Sequence, residues 1–337
     1  MRKGLFIIVL LALAAGFLGY VVFLQNNMAP SSTRPVLNIP TGSDFNTVLQ
    51  LMKERHLLKS TRTFACIAKW RGYDRAVKPG HYVFNRTMSN RELVNMLKSG
   101  NQTPVKLVIY NIRTPQEFAG LLGRTLELDS NDVLKHFSNP TFCNERGVDT
   151  DAVLSLFVTD NYELFWNVGW EGFLDKMEAA RNRFWQGERM AKAAKLGLQQ
   201  NEIVTLASIV EKECIFDKEL PTVAGVYLNR LKIGMPLQAD PTLLYALRDF
   251  SARRVWNYHK NYDSRYNTYL HAGLPPGPIC TPRKKSIDAV LNYETHDYLY
   301  FCANPDLSGY SIFSKTLDEQ NRVAKMYRDK VNKMGVK

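Results

Sequence analysis

The nonapeptide LASIVEKEC, residues 206–214, sets Glu211 and Glu213 one residue apart at the end of an apolar run. Upstream, Asn201 can cap a helix, and apolar residues recur at Ile203, Leu206, Ala207, Val210 and Cys214, the i, i+3, i+4, i+7 spacing of a buried helix face. At about 100° per helical residue, Glu213 stands beside Leu206, Ile209 and Val210, whereas Glu211 stands beside Val204, Ala207 and Ser208. Glu213 therefore has the more apolar surroundings. Loss of water favours the uncharged acid, so a glutamate on such a border can hold its proton near neutral pH and deliver it to a leaving oxygen. That is the task of the general acid in glycoside cleavage. The plainer reading makes Glu211, Lys212 and Glu213 the solvated end of a helix, with one glutamate paired to Lys218 or Arg230.

Downstream come PLQADPT, with Gln238 and Asp240, and RYNTYLHAGLPPGPICTP, where Tyr266, Asn267, Thr268 and Tyr269 just before a Pro- and Gly-rich loop either suit a sugar or serve a rigid connector with structural tyrosines. Sugar C–H faces pack on aromatic rings, while hydroxyls need aimed amide, hydroxyl or carboxylate partners.

Several elements must hold these groups. The stretch from Leu220 opens as a helix that ends near Gly234. Ahead of it, VLNIP reads as a strand, SDFNTVLQLMKERHLL and STRTFACIAKW as amphipathic helices, and GHYVFN as a second strand after the Pro79-Gly80 turn. Strand, helix, helix, strand is the order of a lysin-motif domain, a module that binds amino-sugar polymers. SNRELVNMLKSG follows with a capping box at Ser89 and Glu92 and a stop at Gly100. VKLVIYN is a strand, and TPQEFAGLLGRTL repeats the device with Thr114 as cap, Pro115 first in the helix and Glu117 three after the cap. Residues from about 128 to 195 read as mostly helical.

The chain of 337 residues begins with GLFIIVLLALAAGFLGYVVFL, residues 4–24, free of charge. At about 1.5 Å per residue this run matches a hydrocarbon core of roughly 30 Å. Arg2 and Lys3 precede it and no Lys or Arg follows until Arg34, which places the short basic flank in the cytoplasm and the bulk outside. A cleaved signal peptide is the competing reading, but its apolar region is usually about 7–15 residues. QNNMAPSSTRP then reads as a flexible tether.

Elsewhere the chain is globular; the whole sequence has 45% hydrophobic and 23% charged residues, and its 44 basic against 32 acidic residues give +12. Such a charge favours an anionic partner. Five scattered cysteines without a CxxC, and six histidines without HExxH spacing, argue against a disulfide framework and a metal site. No GxSxG, phosphate loop or Rossmann pattern occurs. RRVWNYHKNYDSRYNTY interleaves basic and aromatic residues as single-stranded nucleic-acid binders do, but the expected topology puts it outside the cytoplasm, so no nucleic-acid partner is expected.

ASIVEKE, VYLNRLKIGMPLQADPT, YNTY, GLPPGPI and DYLYF, in this order between the anchor and the closing TLDEQNRVAKMYR helix, together resemble the endolytic murein transglycosylase (MltG, YceG-like) family. The resemblance covers nearly the whole chain. It implies an α+β protein with a cytoplasmic tail at 1–3, a single transmembrane helix at 4–24, a tether at 25–35, a lysin-motif-like domain at 36–103 and a mixed α/β catalytic domain at 104–337. It implies a lyase that cuts peptidoglycan strands between N-acetylmuramic acid and N-acetylglucosamine on the outer side of the cell membrane, leaving 1,6-anhydro ends, with no cofactor and no metal. Peptidoglycan synthases are its implied protein partners. By the same resemblance Glu213 is the acid/base, Gln238, Asp240, Tyr266, Asn267 and Tyr269 hold or orient substrate, and Glu163 in NYELFWN matches a family pattern. Thr159, Ser311 and Gln320 depart from it, standing where the family often has proline, histidine and histidine. Two rivals remain: a hydrolase using Glu213 with Asp240, distinguished by carboxylate separation, and a non-catalytic wall-binding scaffold.

Overall fold

The computed structural model of the chain describes residues 2–30, 35–252 and 255–333. Part of the expected tether, residues 31–34, lies outside the described residues, as do residues 253–254 of the basic-aromatic segment and the side chains of Arg2 and Lys3. The chain divides into two compact units, one of Met1–Leu107, Leu122–Leu128 and Glu163–Gly169, the other of Val108–Leu121, Asp129–Tyr162 and Trp170–Lys337. The architecture is mixed α and β, and among the described residues the strands form three two-stranded sheets.

The first unit starts with α1 (Arg2–Phe23), whose residues Gly4–Phe23 make a helix long and apolar enough to cross a membrane. Beyond it come β1 (Val36–Ile39), α2 (Phe45–Glu54), α3 (Thr61–Trp70), β2 (Gly80–Val83) and α4 (Asn90–Ser99). β1 and β2 pair antiparallel, Val36 opposite Val83 and Ile39 opposite Gly80. The order strand, helix, helix, strand is the expected one. Asp44 and Ser60 cap α2 and α3, and Ser89 with Glu92 forms the capping box of α4, which stops at Gly100 in the left-handed region (φ 74°). Leu37, Ile39, Val48, Met52, Phe64 and Tyr82 close the core under the sheet.

The segment after α1 is tied down rather than loose. Asn27 is buried, its amide donating to the Ser60 carbonyl (2.9 Å) and to Asn90 Oδ1 (2.7 Å), while its Oδ1 accepts from the Ser60 N–H (2.9 Å). Met28 enters the core, and Asn90 donates to the carbonyl of Val22 at the end of α1. A single buried amide that satisfies three polar partners fixes chain that its composition marks as a linker.

The remaining elements are β3 (Val105–Ile109), α5 (Pro115–Thr125), α6 (Ser130–Phe137), α7 (Pro140–Asn144), β4 (Asp160–Leu164), α8 (Trp170–Phe184), α9 (Glu188–Leu196), α10 (Gln200–Glu213), α11 (Leu220–Lys232), α12 (Asp240–Leu247), α13 (Lys284–Leu291), β5 (Tyr300–Ala303), β6 (Ser311–Ser314) and α14 (Leu317–Lys333). β3 pairs with β4, and β5 with β6 antiparallel. The stretch expected to be helical between 128 and 195 also contains β4 and a 3-10 segment at Thr150–Leu156. In the second unit α10 packs against α11, α12 and α13. Its Ile203, Leu206, Ala207, Ile209 and Val210 are all inaccessible to solvent, each larger side chain contributing about 1.5–3 kcal/mol of burial. A buried central helix is the mount on which the glutamates sit.

Candidate active site

α10 begins two residues earlier than its apolar spacing suggests. Gln199, not Asn201, is the cap, and Glu202 reaches back to the Gln199 N–H (2.7 Å) in a capping box. The helix is also buried on more sides than an amphipathic stripe requires, since Thr205 and Ser208 lie inside it. Thr205 donates to the Asn201 carbonyl (2.7 Å) and Ser208 to that of Thr205 (2.7 Å). Ser208 Oγ in turn accepts from the Ile279 N–H (3.0 Å), fastening the Pro- and Gly-rich loop to α10. Gly277 in that loop lies so close to the 3-10 segment that a Cβ would stand 2.1 Å from the Asp151 carbonyl oxygen. Only glycine fits there.

Glu211 is buried at 8% exposure and spoken for. Its Oε2 accepts from the Arg283 N–H and from Ser286 Oγ, both at 2.7 Å, and its Oε1 lies 3.3 Å from Arg283 Nε. These donors open α13, so the Glu211 carboxylate caps a helix N-terminus from the side. Arg283 also pairs with Asp217 at 3.0 Å. Neither Lys218 nor Arg230 is the partner of Glu211.

Glu213 is partly exposed, at the last residue of α10, before Cys214 turns the chain into extended backbone. Burial, aided by the negative charge of Asp240, pushes its carboxyl up to about 7, against the opposing hydrogen bond of Tyr227 and the positive charge of Arg230. Tyr227 and Arg230 face it from α11, one turn apart. Tyr227 is wholly buried, its phenol held far above its ordinary range chiefly by that burial and next by the charge of Glu213, so it stays a donor. Arg230 is fixed by the carbonyls of Leu299 (2.7 Å) and Leu237 (2.6 Å), with its guanidinium 5.3 Å from the centre of the Tyr300 ring.

Asp240 is exposed at the first position of α12, and Tyr269 donates its hydroxyl to Asp240 Oδ1. Burial and that hydrogen bond raise the Tyr269 phenol. The Lys260 ammonium sits 4.9 Å from the Tyr269 ring centre. Gln238 is exposed and adopts φ 51°, a left-handed backbone that is uncommon outside glycine, asparagine and aspartate. Its N–H donates to the Thr268 carbonyl (3.0 Å), and Thr268 Oγ1 accepts from the Ala239 N–H (3.0 Å).

The structure thus brings Glu213, Asp240 and Tyr269 into one electrostatic group with Tyr227 and Arg230. Of the other expected residues, Gln238 lies two before Asp240, and Asn267 and Tyr266 are buried. Asn267 is completely buried, donating to the carbonyls of Lys260 (2.9 Å) and Tyr262 (2.8 Å) and accepting from the Tyr269 N–H (3.0 Å), so it shapes the loop that presents Tyr269. Tyr266 is buried against Tyr245, ring centres 4.6 Å apart, and donates to the Asp151 carbonyl (3.3 Å). Glu163 is exposed on β4 in the first unit. Of the three departures, Thr159 donates to the Pro282 carbonyl (2.9 Å), Gln320 to that of Phe301 (2.9 Å), and the Ser311 N–H to Glu219 (2.7 Å). Each is a structural bond remote from Glu213 in role.

Tyr227 was not among the expected site residues, although VYLNR places it three before Arg230, on the same helix face. Among the described residues no three His, Cys, Asp or Glu side chains gather as metal ligands. Chemically, the group offers a carboxyl that can gain or lose a proton near neutral pH, a neighbouring acidic side chain and phenol donors.

The YceG-like family model matches residues 37–326. The chain is 26% identical over 313 residues to the endolytic murein transglycosylase of Bacillus subtilis, covering 88% of this chain and 86% of that protein. It is 27% identical to the endolytic murein transglycosylase of Streptococcus pneumoniae D39 across 95% of this chain, but spans only 64% of that relative's length. A putative YceG-like protein from Listeria monocytogenes superposes with a TM-score of 0.59 at 28% identity, covering 87% of this chain and 99% of that structure. With a match that runs from β1 into α14, the chain belongs to the YceG-like family.

Proposed function

We propose that this chain is a membrane-anchored endolytic lytic transglycosylase of peptidoglycan, with Glu213 as its acid/base. The observation that carries the reading is a carboxyl raised to about 7 beside Asp240 and Tyr269, in a family whose curated relatives are named endolytic murein transglycosylases. Glu213 protonates the oxygen that leaves the muramic anomeric carbon as the glycosidic bond breaks. The resulting carboxylate then takes the proton of the muramic C6 hydroxyl, whose oxygen bonds to the same anomeric carbon. The products are an N-acetylglucosamine 4-hydroxyl end and a 1,6-anhydro end, with no water consumed. Because the nucleophile belongs to the substrate, its attack gains from proximity and a second catalytic carboxylate is not required. Tyr269, Asp240 and Gln238 line the approach, and the strand-helix-helix-strand unit acts as a lysin-motif-like glycan grip. The α1 anchor holds the enzyme to newly made strands on the outer face of the membrane, where cutting limits their length beside the synthases that extend them.

Asp240 favours a second reading, hydrolysis, since it is close enough to raise Glu213 and can serve a water. Mass spectrometry of glycan ends after incubating purified peptidoglycan with the full chain in detergent separates the two. Anhydro ends that vanish with Glu213→Gln support the transglycosylase, reducing ends the hydrolase, and intact but bound strands a scaffold. Deleting α1 while retaining export should change the strand-length distribution in cells, and an unchanged distribution counts against the anchor's role.

A further inference from the structure

We propose that a pocket lined by Lys212 and Pro241 seats the anionic peptide branch of the glycan, so that the enzyme prefers peptide-bearing strands; this rests on the function proposed above. The pocket, of about 150 Å³, lies within the second unit and is tied by sequence to both carboxylates, since Lys212 precedes Glu213 and Pro241 follows Asp240. Leu244, Tyr245 and Ile279 give it an apolar floor, and Arg113 and Lys212 give it charge. Among the described residues its lining has no carboxylate.

Both cations are held in place without being neutralised. Arg113 lies over the Phe250 ring, 4.6 Å from its centre. Lys212 donates to Asn111 Oδ1, and Asn111 is itself set in the left-handed region at φ 53°. Among the described residues neither cation is ion-paired, whereas Arg283, four residues beyond Ile279 of the lining, is shared between Glu211 and Asp217. An ammonium has three donors and a guanidinium five, so both retain capacity for an anion. A pocket of this size accommodates roughly five waters, the bulk of one aminoacyl group. A muramic residue without its peptide offers such a pocket only a lactyl carboxylate and no apolar side chain. The peptide attached to the lactyl ether of muramic acid supplies short apolar side chains and free carboxylates, the combination the lining matches.

The test compares full-length chain in detergent on murein strands with and without their peptides. Wild type should cut peptide-bearing strands with the lower KM, and the Arg113→Gln, Lys212→Gln pair should raise that KM roughly tenfold and abolish the preference, while Arg113→Lys keeps most of it. No preference in wild type, or equal losses on both substrates, overturns the proposal. A second measurement alters the ligand instead of the fold: calorimetry of Glu213→Gln protein with muramyl dipeptide and with its carboxamide form. Roughly tenfold tighter binding of the carboxylate is expected, and equal affinity overturns the proposal. Should wild type cut neither strand, the function proposed above fails, and the calorimetry still decides the pocket.

Discussion

Two faces of the last turn of α10 carry one carboxylate each. On one, Glu211 is buried and receives two 2.7 Å hydrogen bonds and a guanidinium from the start of α13. On the other, Glu213 meets a phenol, an arginine held by carbonyls, and a second carboxylate. Both environments remove water. They differ in what replaces it: full, charge-matched hydrogen bonding on the Glu211 face makes the charge part of the structure, while incomplete compensation on the Glu213 face leaves a proton that can be exchanged at neutral pH. The deeper glutamate is the one bound into the fold, and the acid/base role proposed above falls to the shallower one.

The largest expected effect tests that division directly. Glu213→Gln removes the transferable proton and keeps the shape, so cleavage of peptidoglycan should fall by about 10²–10⁴-fold with the fold intact by circular dichroism. Glu211→Gln should retain activity within about tenfold per folded molecule. If instead Glu211→Gln is the inactive variant while folding normally, the roles of the two faces are reversed.

Stability separates the faces in the opposite sense. Glu211→Ala strands the Arg283 guanidinium and two donors, which should cost about 3 kcal/mol in urea unfolding. Glu213→Gln should instead stabilise, and only at higher pH. The folded Glu213 carboxyl is raised above its ordinary value of 4.5 to about 7, so its contribution to stability is fully present below about pH 4.5 and is lost as pH rises through about 7. Above that pH the wild type carries a charge its site disfavours. The variant should gain on the order of 3 kcal/mol over wild type at pH 8 and nothing at pH 4, and a pH-independent difference would contradict this.

Next in size are the neighbours that tune Glu213, which act with opposite signs. The charge of Asp240 raises its carboxyl and the Tyr227 hydrogen bond lowers it. A general acid works while protonated, so the alkaline limb of the activity profile should move down by about one pH unit in Asp240→Asn and up by a similar amount in Tyr227→Phe. Shifts in the same direction would mean that these residues act through structure rather than through the Glu213 proton.

The sequence disclosed much of this arrangement where chemistry and periodicity coincide. The capping boxes, the glycine stop at Gly100 and the order of β1, α2, α3 and β2 are local, and local rules suffice for them. The border position of Glu213 was legible from helical spacing alone. Three things were not legible. Asn27 turns a linker-like stretch into a packed one through bonds to Ser60 and Asn90, 33 and 63 residues away. Asn267 and Tyr266 look like ligand-binding groups by type, yet their polar atoms are consumed by backbone within the loop and by Asp151. Glu211 finds Arg283 and Ser286 more than 70 residues on, a partnership no periodicity encodes.

Gln238 offers the smallest and most discriminating test. Its left-handed backbone at φ 51° carries a Cβ where glycine would be easier, and it directly precedes Ala239 and Asp240, whose loop is pinned by Thr268. Strain that a side chain maintains next to a reactive group implies that the side chain itself is used. Gln238→Gly should therefore stabilise the protein slightly, by about 0.5–1 kcal/mol, while raising KM for glycan strands and leaving kcat and its pH limb in place. Gln238→Asn, which also tolerates this backbone and keeps a shorter amide, should fall between them in KM. A glycine variant with unaltered KM would reduce Gln238 to a turn residue and leave Asp240 and Tyr269 as the proposed substrate contacts near Glu213.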